Sequence, residues 1–298
     1  MGWFFDEAIN IWLQNNAPWL KWPMILVTYF GDAIIYIALL AVAFWIYNKR
    51  EAIIAIYILL TANFFNFFLK VLIKNPRPSQ SIRIVEESGF STPSNHAQAS
   101  STMYGWIMFH FKKIWLYIVI PILVLLIAFS RVFLGVHYIG DVIIGLLIGI
   151  ASVAALYFSI PPLVKWIDSW PDWVKVLVGE CYGLVIFLIT FLLGLFTEWP
   201  PGDETNSAET AAALLIFPIL IFVENKWIKM QTDNILWWSK LLRVVVGLAV
   251  TVGVFIGIDY LFGLIPQNTY VIEYIFDFLK YTCVIAVVGL LMPFTFTK

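Results

Sequence analysis

The residues equipped to do chemistry fall into three separated segments. The first is Lys70-Val-Leu-Ile-Lys74-Asn-Pro-Arg77-Pro78 and the second is Pro93-Ser94-Asn95-His96. The third is Ser130-Arg131, then five residues, His137, three residues and Asp141. Two of the chain's 3 histidines lie here, and the third, His110, sits near Lys112. Each piece has a plain structural reading. Lys70 and Lys74 can snorkel from a helix end to an interface, and Ser94-Asn95-His96 can serve only as a helix N-cap. His137 and Asp141, spaced i, i+4, can be a packing pair. Arg77 is held between two prolines, and Arg131 is a costly charge to leave unpaired at a membrane edge. Together, however, these segments bring cations, a helix N-terminus, two imidazoles and a carboxylate, the set that a phosphoryl group requires. Cations and amides neutralise the phosphoryl oxygens. One imidazole can attack phosphorus, oriented by a carboxylate on its far nitrogen, while the other protonates the leaving oxygen. Lys70, Arg77 and Arg131 supply the positive charge a metal would otherwise bring, so neither metal nor cofactor is expected.

The elements that must position these groups are apolar. Of 298 residues, 61% are hydrophobic and 12% charged, with mean hydropathy +0.88, where an ordinary soluble domain carries about 25% charged residues. This excludes a water-soluble globule, a disordered chain and a coiled coil. The fold class expected is all-α, a polytopic helical membrane protein with about nine spans of ~20 residues and an N-terminal interfacial helix. A net charge of −1 and a pI near 6.3 provide no basic field for nucleic acid. The two cysteines, Cys181 and Cys283, lie in apolar runs and suggest neither a disulfide framework nor a metal site. The first charges, Asp6 and Glu7, are acidic, which argues against a cleaved signal peptide.

Along the chain, residues 1–22 read as an amphipathic, Trp-rich interfacial helix. Residues 23–162 then hold five spans, about 23–47, 52–73, 97–111, 114–136 and 138–160, the last stopped by Pro161-Pro162. Lys74 to His96 is the long polar loop of this half. The Trp- and charge-bearing stretch 165–175 suits a membrane-surface linker. Residues 163–298 form an additional bundle of four spans, about 176–198, 210–224, 243–264 and 271–296. Lys49, Arg50, Lys112, Lys113, Lys165, Lys175, Lys226, Lys229, Lys240 and Arg243 cluster in one set of loops, joined by Lys298, and that set is expected to be cytoplasmic. The loop after Trp199 is acidic. The chemistry-bearing segments then face outside, in what is expected to be the plasma membrane, with the C-terminus cytoplasmic.

At these segments the sequence resembles the type 2 phosphatidic acid phosphatase superfamily, whose three-part pattern is Lys-x6-Arg-Pro, Pro-Ser-Gly-His and Ser-Arg-x5-His-x3-Asp. The chain matches it through Lys70, Arg77 and Pro78; Pro93, Ser94 and His96; and Ser130, Arg131, His137 and Asp141, over roughly residues 23–160. The resemblance implies that His137 is a nucleophile forming a phosphohistidine, that Asp141 orients it, and that His96 is the general acid. It implies that Lys70, Arg77, Ser94, Arg131 and the backbone N–H of Asn95 bind the phosphate. Asn95 replaces the family's usual glycine; because the contact there is a main-chain N–H and Asn tolerates αL, the change bears on pocket shape more than on chemistry. The C-terminal extension resembles that of larger, roughly nine-span members such as sphingoid-base phosphate phosphatases.

Other intramembrane charges are Asp32, Glu180, Glu198, Asp259, Asp277 and Lys280. Asp32 either supports the site, as Lys74, Pro78 and Ser130 would, or makes a polar helix contact; Asp277 and Lys280, three apart, are expected to pair. The function expected is an integral membrane lipid phosphatase acting on a phosphomonoester or diphosphate headgroup at the outer interface. Its partners would be the lipid substrate and the bilayer, with a homodimer as a further option. The rivals are a phosphotransferase using the same phosphohistidine and a non-catalytic lipid-phosphate transporter, which would need cations but no nucleophile and orienting carboxylate.

Overall fold

A computed structural model describes residues 3–199, 207–266 and 269–297. The described residues are helical and contain no strand. A short helix α1 (Ala8–Asn16) precedes α2 (Lys21–Tyr29) and α3 (Ala33–Val42), which continues as a π-helical turn to Tyr47. Then follow α4 (Lys49–Ile73), α5 (Asn95–Phe111), α6 (Leu116–Phe133) and α7 (Ile139–Asp168). The remainder comprises α8 (Asp172–Phe196), α9 (Ala208–Val223), α10 (Trp237–Gly263), α11 (Tyr270–Ala286) and α12 (Met292–Thr297). The acidic residues 200–206 and Lys298, used above to orient the chain, lie outside the described residues.

Among the described residues, seven helical segments are long and apolar enough to cross a membrane, and the bent pair Pro18–Tyr29 and Ala33–Tyr47, broken at 42°, makes an eighth. The count is therefore seven or eight where the sequence suggests about nine. The missing span is α5, with 17 residues. Its composition explains the difference: every residue from Ala97 to Gly105 is buried, including Gln98, Ser100, Ser101 and Thr102. A helix enclosed by protein can be polar where a lipid-facing one cannot. Two boundaries also shift. Helix α7 runs through Pro161-Pro162 to Asp168, and Arg243, grouped with the loop cations, lies buried inside α10.

Two compact units interleave along the chain. The first comprises the described residues of Met1–Tyr36, Thr61–Val164 and Thr197–Thr205; the second those of Ile37–Leu60, Lys165–Phe196 and Asn206–Lys298. The sequence reading instead divides the chain near residue 162.

In the first unit the helices are fixed by close backbone approach and buried polar links. A Cβ on Gly145 would lie 2.6 Å from the Ser94 carbonyl oxygen, and one on Gly149 would lie 2.5 Å from Ser101 Cβ. Small residues four apart thus press α7 against the start of α5, the device that lets membrane helices approach closely. On the other side of α5, Asn66 Nδ2 donates to Gln98 Oε1 at 2.9 Å, and Gln98 Nε2 donates to the Ala62 carbonyl at 3.1 Å. Ala97, Ala128, Val132 and Val142 form a small apolar core between the ends of α5, α6 and α7, with Ile9 and Leu13 of α1 packed on it.

In the second unit, Trp45 is fully buried beside Met230, Val287 and Met292, and its indole N–H donates to the Val288 carbonyl at 2.9 Å. A Cβ on Gly183 would lie 2.6 Å from the Leu214 carbonyl oxygen, so α8 and α9 also pack backbone to backbone. The expected Asp277–Lys280 pair forms at 2.8 Å, and Lys280 also reaches Asp259 at 3.0 Å.

Candidate active site

The site lies within the first unit, where the end of α4, the loop 74–94, the start of α5 and the α6–α7 turn meet. That turn requires Gly135. Its φ is +73°, and a Cβ there would sit 2.2 Å from the Ile82 carbonyl oxygen. The left-handed step directs the chain from Arg131 into His137. Helix α1 fastens the turn from outside: buried Asn10 Nδ2 donates to the carbonyls of Val132 (2.6 Å) and His137 (3.0 Å). One helical turn on, Gln14 Nε2 donates to the carbonyls of Ile82 and Phe133, both at 2.9 Å. The N-terminal helix expected only to lie on the membrane thus also braces the site.

His137 is 1% exposed. Its Nδ1 faces Asp141 Oδ2 at 3.4 Å and Ser91 Oγ at 3.2 Å, while Nε2 faces Arg77 Nη1 at 3.1 Å. A guanidinium only donates, so Nε2 is the acceptor and the proton of the neutral ring sits on Nδ1, toward Asp141. Burial, reinforced by the charges of Arg77 and Lys70, holds the His137 pKa well below its usual value. A neutral imidazole results, its Nε2 lone pair turned toward Arg77 Nη1. Asp141 is itself held in place: its carboxylate accepts from the hydroxyls of Ser91 and Thr92 and from the Tyr138 N–H at 2.8 Å. Its own carbonyl accepts from the Ser94 N–H at 3.1 Å, tying α7 to the head of α5.

Arg77 has five N–H donors. They serve the carbonyls of Ser88, Gly89 and Val136, and the directions left face His137 Nε2 and the carboxylate of Glu87, whose Oε1 is 3.5 Å from Nη2. Arg131 is 2% exposed. Its Nη1 donates to Thr28 Oγ1 at 2.8 Å, its Nη2 pairs with Glu87, and its Nε has no partner among the described residues. Lys70 is buried, interacts electrostatically with Arg77, Glu87, Arg131 and Asp141, and has no carboxylate at ion-pair distance among the described residues. His96 is within electrostatic reach of Arg131, Glu87, Lys70 and Arg77, and a Cβ on Gly31 would lie 2.9 Å from its ring.

Ser94 Oγ and Asn95 Oδ1 are likewise buried without a hydrogen-bond partner among the described residues. Ser94 stands at the N-cap of α5 but its side chain makes no cap hydrogen bond. Each orphaned polar atom costs about 1–3 kcal/mol; of these, Ser94 Oγ and Arg131 Nε are donors that an oxyanion could satisfy, whereas Asn95 Oδ1 is an acceptor.

Four residues expected to support the site do so differently or not at all. Lys74 is exposed with φ +54°, and its N–H closes the end of α4 on the Lys70 carbonyl. Asp32 accepts from the Ile34 N–H at the start of α3, a local contact and not the polar contact between helices offered as its alternative. Ser130 Oγ returns to the Ile127 carbonyl, and Pro78 acts through its carbonyl, which accepts from Arg83 Nε at 3.0 Å. Conversely, Glu87, Ser91, Thr92, Asn10 and Gln14 were missed. Only Glu87 left any sign, as a carboxylate in a loop flanked by basic residues.

The comparisons fit this geometry. The PAP2 superfamily model matches residues 51–164, and the model described as PAP2 superfamily phosphatase, transmembrane extension, matches residues 208–298. The putative undecaprenyl-diphosphatase YbjG of Escherichia coli is 30% identical over 149 residues, 45% of this chain and 71% of that protein. The chain belongs to the PAP2 superfamily. Phosphatidylglycerophosphatase B of Bacillus subtilis is 29% identical over 178 residues, 55% of this chain and 83% of that protein. Sphingosine-1-phosphate phosphatase 1 of Mus musculus is 28% identical over 218 residues, 67% of this chain but only 46% of the mouse protein. With its apolar helices and the matching transmembrane extension, the PAP2 member described here is an integral membrane phosphatase.

Proposed function

We propose that this enzyme hydrolyses the phosphomonoester or diphosphate headgroup of a membrane lipid through a phosphohistidine on His137, without a metal. The observation that carries the reading is the polarity of His137, with Nδ1 on Asp141 and Nε2 facing the cationic place beside Arg77. In the first half-reaction the Nε2 lone pair forms a bond to phosphorus as the P–O bond to the lipid breaks, and His96 gives its proton to the departing oxygen. Lys70, Arg77, Arg131, Ser94 Oγ and the Asn95 N–H hold the phosphoryl oxygens, and the head of α5 adds the positive end of its dipole. In the second half-reaction water attacks phosphorus, His96 takes the water's proton, and the P–N bond breaks to release inorganic phosphate and restore neutral His137.

The relatives carry amphiphilic phosphates in their names: phosphatidylglycerophosphate, sphingosine-1-phosphate and undecaprenyl diphosphate. A substrate of the same kind, with its tail in the bilayer, suits a site at the ends of membrane helices. The asymmetry of Lys and Arg among the loops supports an outward-facing site in the plasma membrane and a cytoplasmic C-terminus; a homodimer is compatible with this arrangement. The test is phosphate release from lipid phosphates by the purified chain in a chelator, together with trapping of an acid-labile, base-stable phosphoryl group. His137→Ala should lose both. A fully active His137→Ala enzyme would refute the mechanism.

A further inference from the structure

Glu87 is a carboxylate that reaches both site arginines. Its oxygens pair with Arg131 Nη2 and Arg77 Nη2, and its electrostatic partners are Arg131, Arg77, His96 and Lys70, the same cations and acid assigned to the phosphate. Burial would raise the Glu87 carboxyl, yet Arg131 and Arg77 hold it well below the usual carboxylate range, so it is an anion. The side chain is 28% exposed, whereas Arg77 and Arg131 are 0% and 2% exposed. It therefore has a way out to solvent that they lack. Its backbone is fixed independently: Arg83 Nη1 donates to the Glu87 carbonyl at 3.2 Å, and Arg77 binds the next two carbonyls. Leaving the site requires only side-chain rotation.

We infer that Glu87 is a built-in competitor of the substrate phosphate, occupying the two-arginine seat in the resting enzyme and swinging outward when a phosphate enters. This rests on the assignment of phosphate to Arg77 and Arg131 proposed above. The fit of the two anions differs in a way that favours exchange. A carboxylate offers two oxygens and leaves Ser94 Oγ and Arg131 Nε unsatisfied, whereas a phosphoryl group offers three, enough to reach them. Glu87 thus shields the buried cations between turnovers, raises the concentration of lipid phosphate needed to fill the site, and helps expel the inorganic phosphate product.

The experiment measures the dissociation constant of inorganic phosphate for the full chain in detergent. Glu87→Gln, which keeps size and hydrogen bonding but removes the charge, should bind phosphate about tenfold more tightly. Unchanged or weaker binding overturns the proposal and makes Glu87 a brace for the arginines. Arg131→Gln tests the seat itself and should weaken binding. If it does while Glu87→Gln fails to tighten, the seat stands and only the competitor falls; if Arg131→Gln changes nothing, both fall. A measurement on the unmodified chain guards against a variant that does not fold. Carbodiimide-driven amine labelling of Glu87, read by peptide mass spectrometry, should rise several-fold on adding tungstate, a tetrahedral anion that does not consume the reagent. Unchanged or reduced labelling overturns the proposal.

Discussion

The two compact units treat some of their buried cations differently. In the second, Arg243 donates to the carbonyls of Trp45, Gln231 and Phe296 at 2.7–3.1 Å. Lys280 meets two carboxylates, and Lys49 meets Glu224 at 2.9 Å. These cations are matched locally, and they join segments distant in sequence. In the first, Lys70 lacks an ion-pair partner among the described residues, Arg131 keeps an unsatisfied Nε, and Ser94 Oγ has no acceptor or donor. The contrast separates charge spent on architecture from charge held for a ligand, although both kinds are costly in an apolar setting.

The contrast can be attacked experimentally, beginning with the largest effect. His137→Ala should reduce phosphate release at least about a thousandfold, because it removes the nucleophile proposed above, while leaving thermal stability within a few degrees. Next, Arg131→Lys and Arg243→Lys should diverge. The former should cut kcat/KM by about a hundredfold, since an ammonium cannot offer the planar fork, with little change in Tm. The latter should lower Tm and leave the kcat/KM of the folded fraction within about threefold. Equal losses of activity in both would erase the distinction. Gly145→Leu should cost more activity than stability per ångström of helix displacement, because its first obstruction is the Ser94 carbonyl; kcat should fall about tenfold or more.

The smallest effect concerns pH. The His137 pKa is depressed in the folded chain, so the unfolded chain binds more protons once the pH falls below about 6.5. The stability that depends on neutral His137 is therefore present above that pH and is lost on acidification toward the folded-state pKa, by up to about 1.4 kcal/mol per pH unit. Melting curves between pH 7.5 and 5.5 should show a loss of this sign, and His137→Gln should reduce its slope. Glu87, also depressed, adds a loss of the same sign at lower pH.

The three candidate segments were legible because their residue types are scarce in an apolar chain, so their spacing carried information. The helices flanking them were legible from hydropathy alone. The polarity of α5 misled for the same reason: hydropathy reports contact with lipid, and Gln98 and Thr102 contact protein. Pro161-Pro162 suggested a stop, yet a proline interrupts the helix ladder only locally, and membrane helices tolerate it when neighbours compensate. Ser91, Thr92 and Glu87 sit in an irregular loop with no period to single them out. Asn10 looked like one polar residue among several on an amphipathic helix, because its partners are carbonyls brought near only by the finished fold.

Asn10 also has a consequence for synthesis. The carbonyls it holds belong to residues made 122 and 127 positions later. Helix α1 therefore leaves the ribosome long before the turn it fastens exists, and it must wait while α4 and α6 are threaded into the bilayer. Such distant closure is slow relative to local helix formation. A nascent chain would carry its candidate segments for some time before the turn that bears His137 is fastened by Asn10.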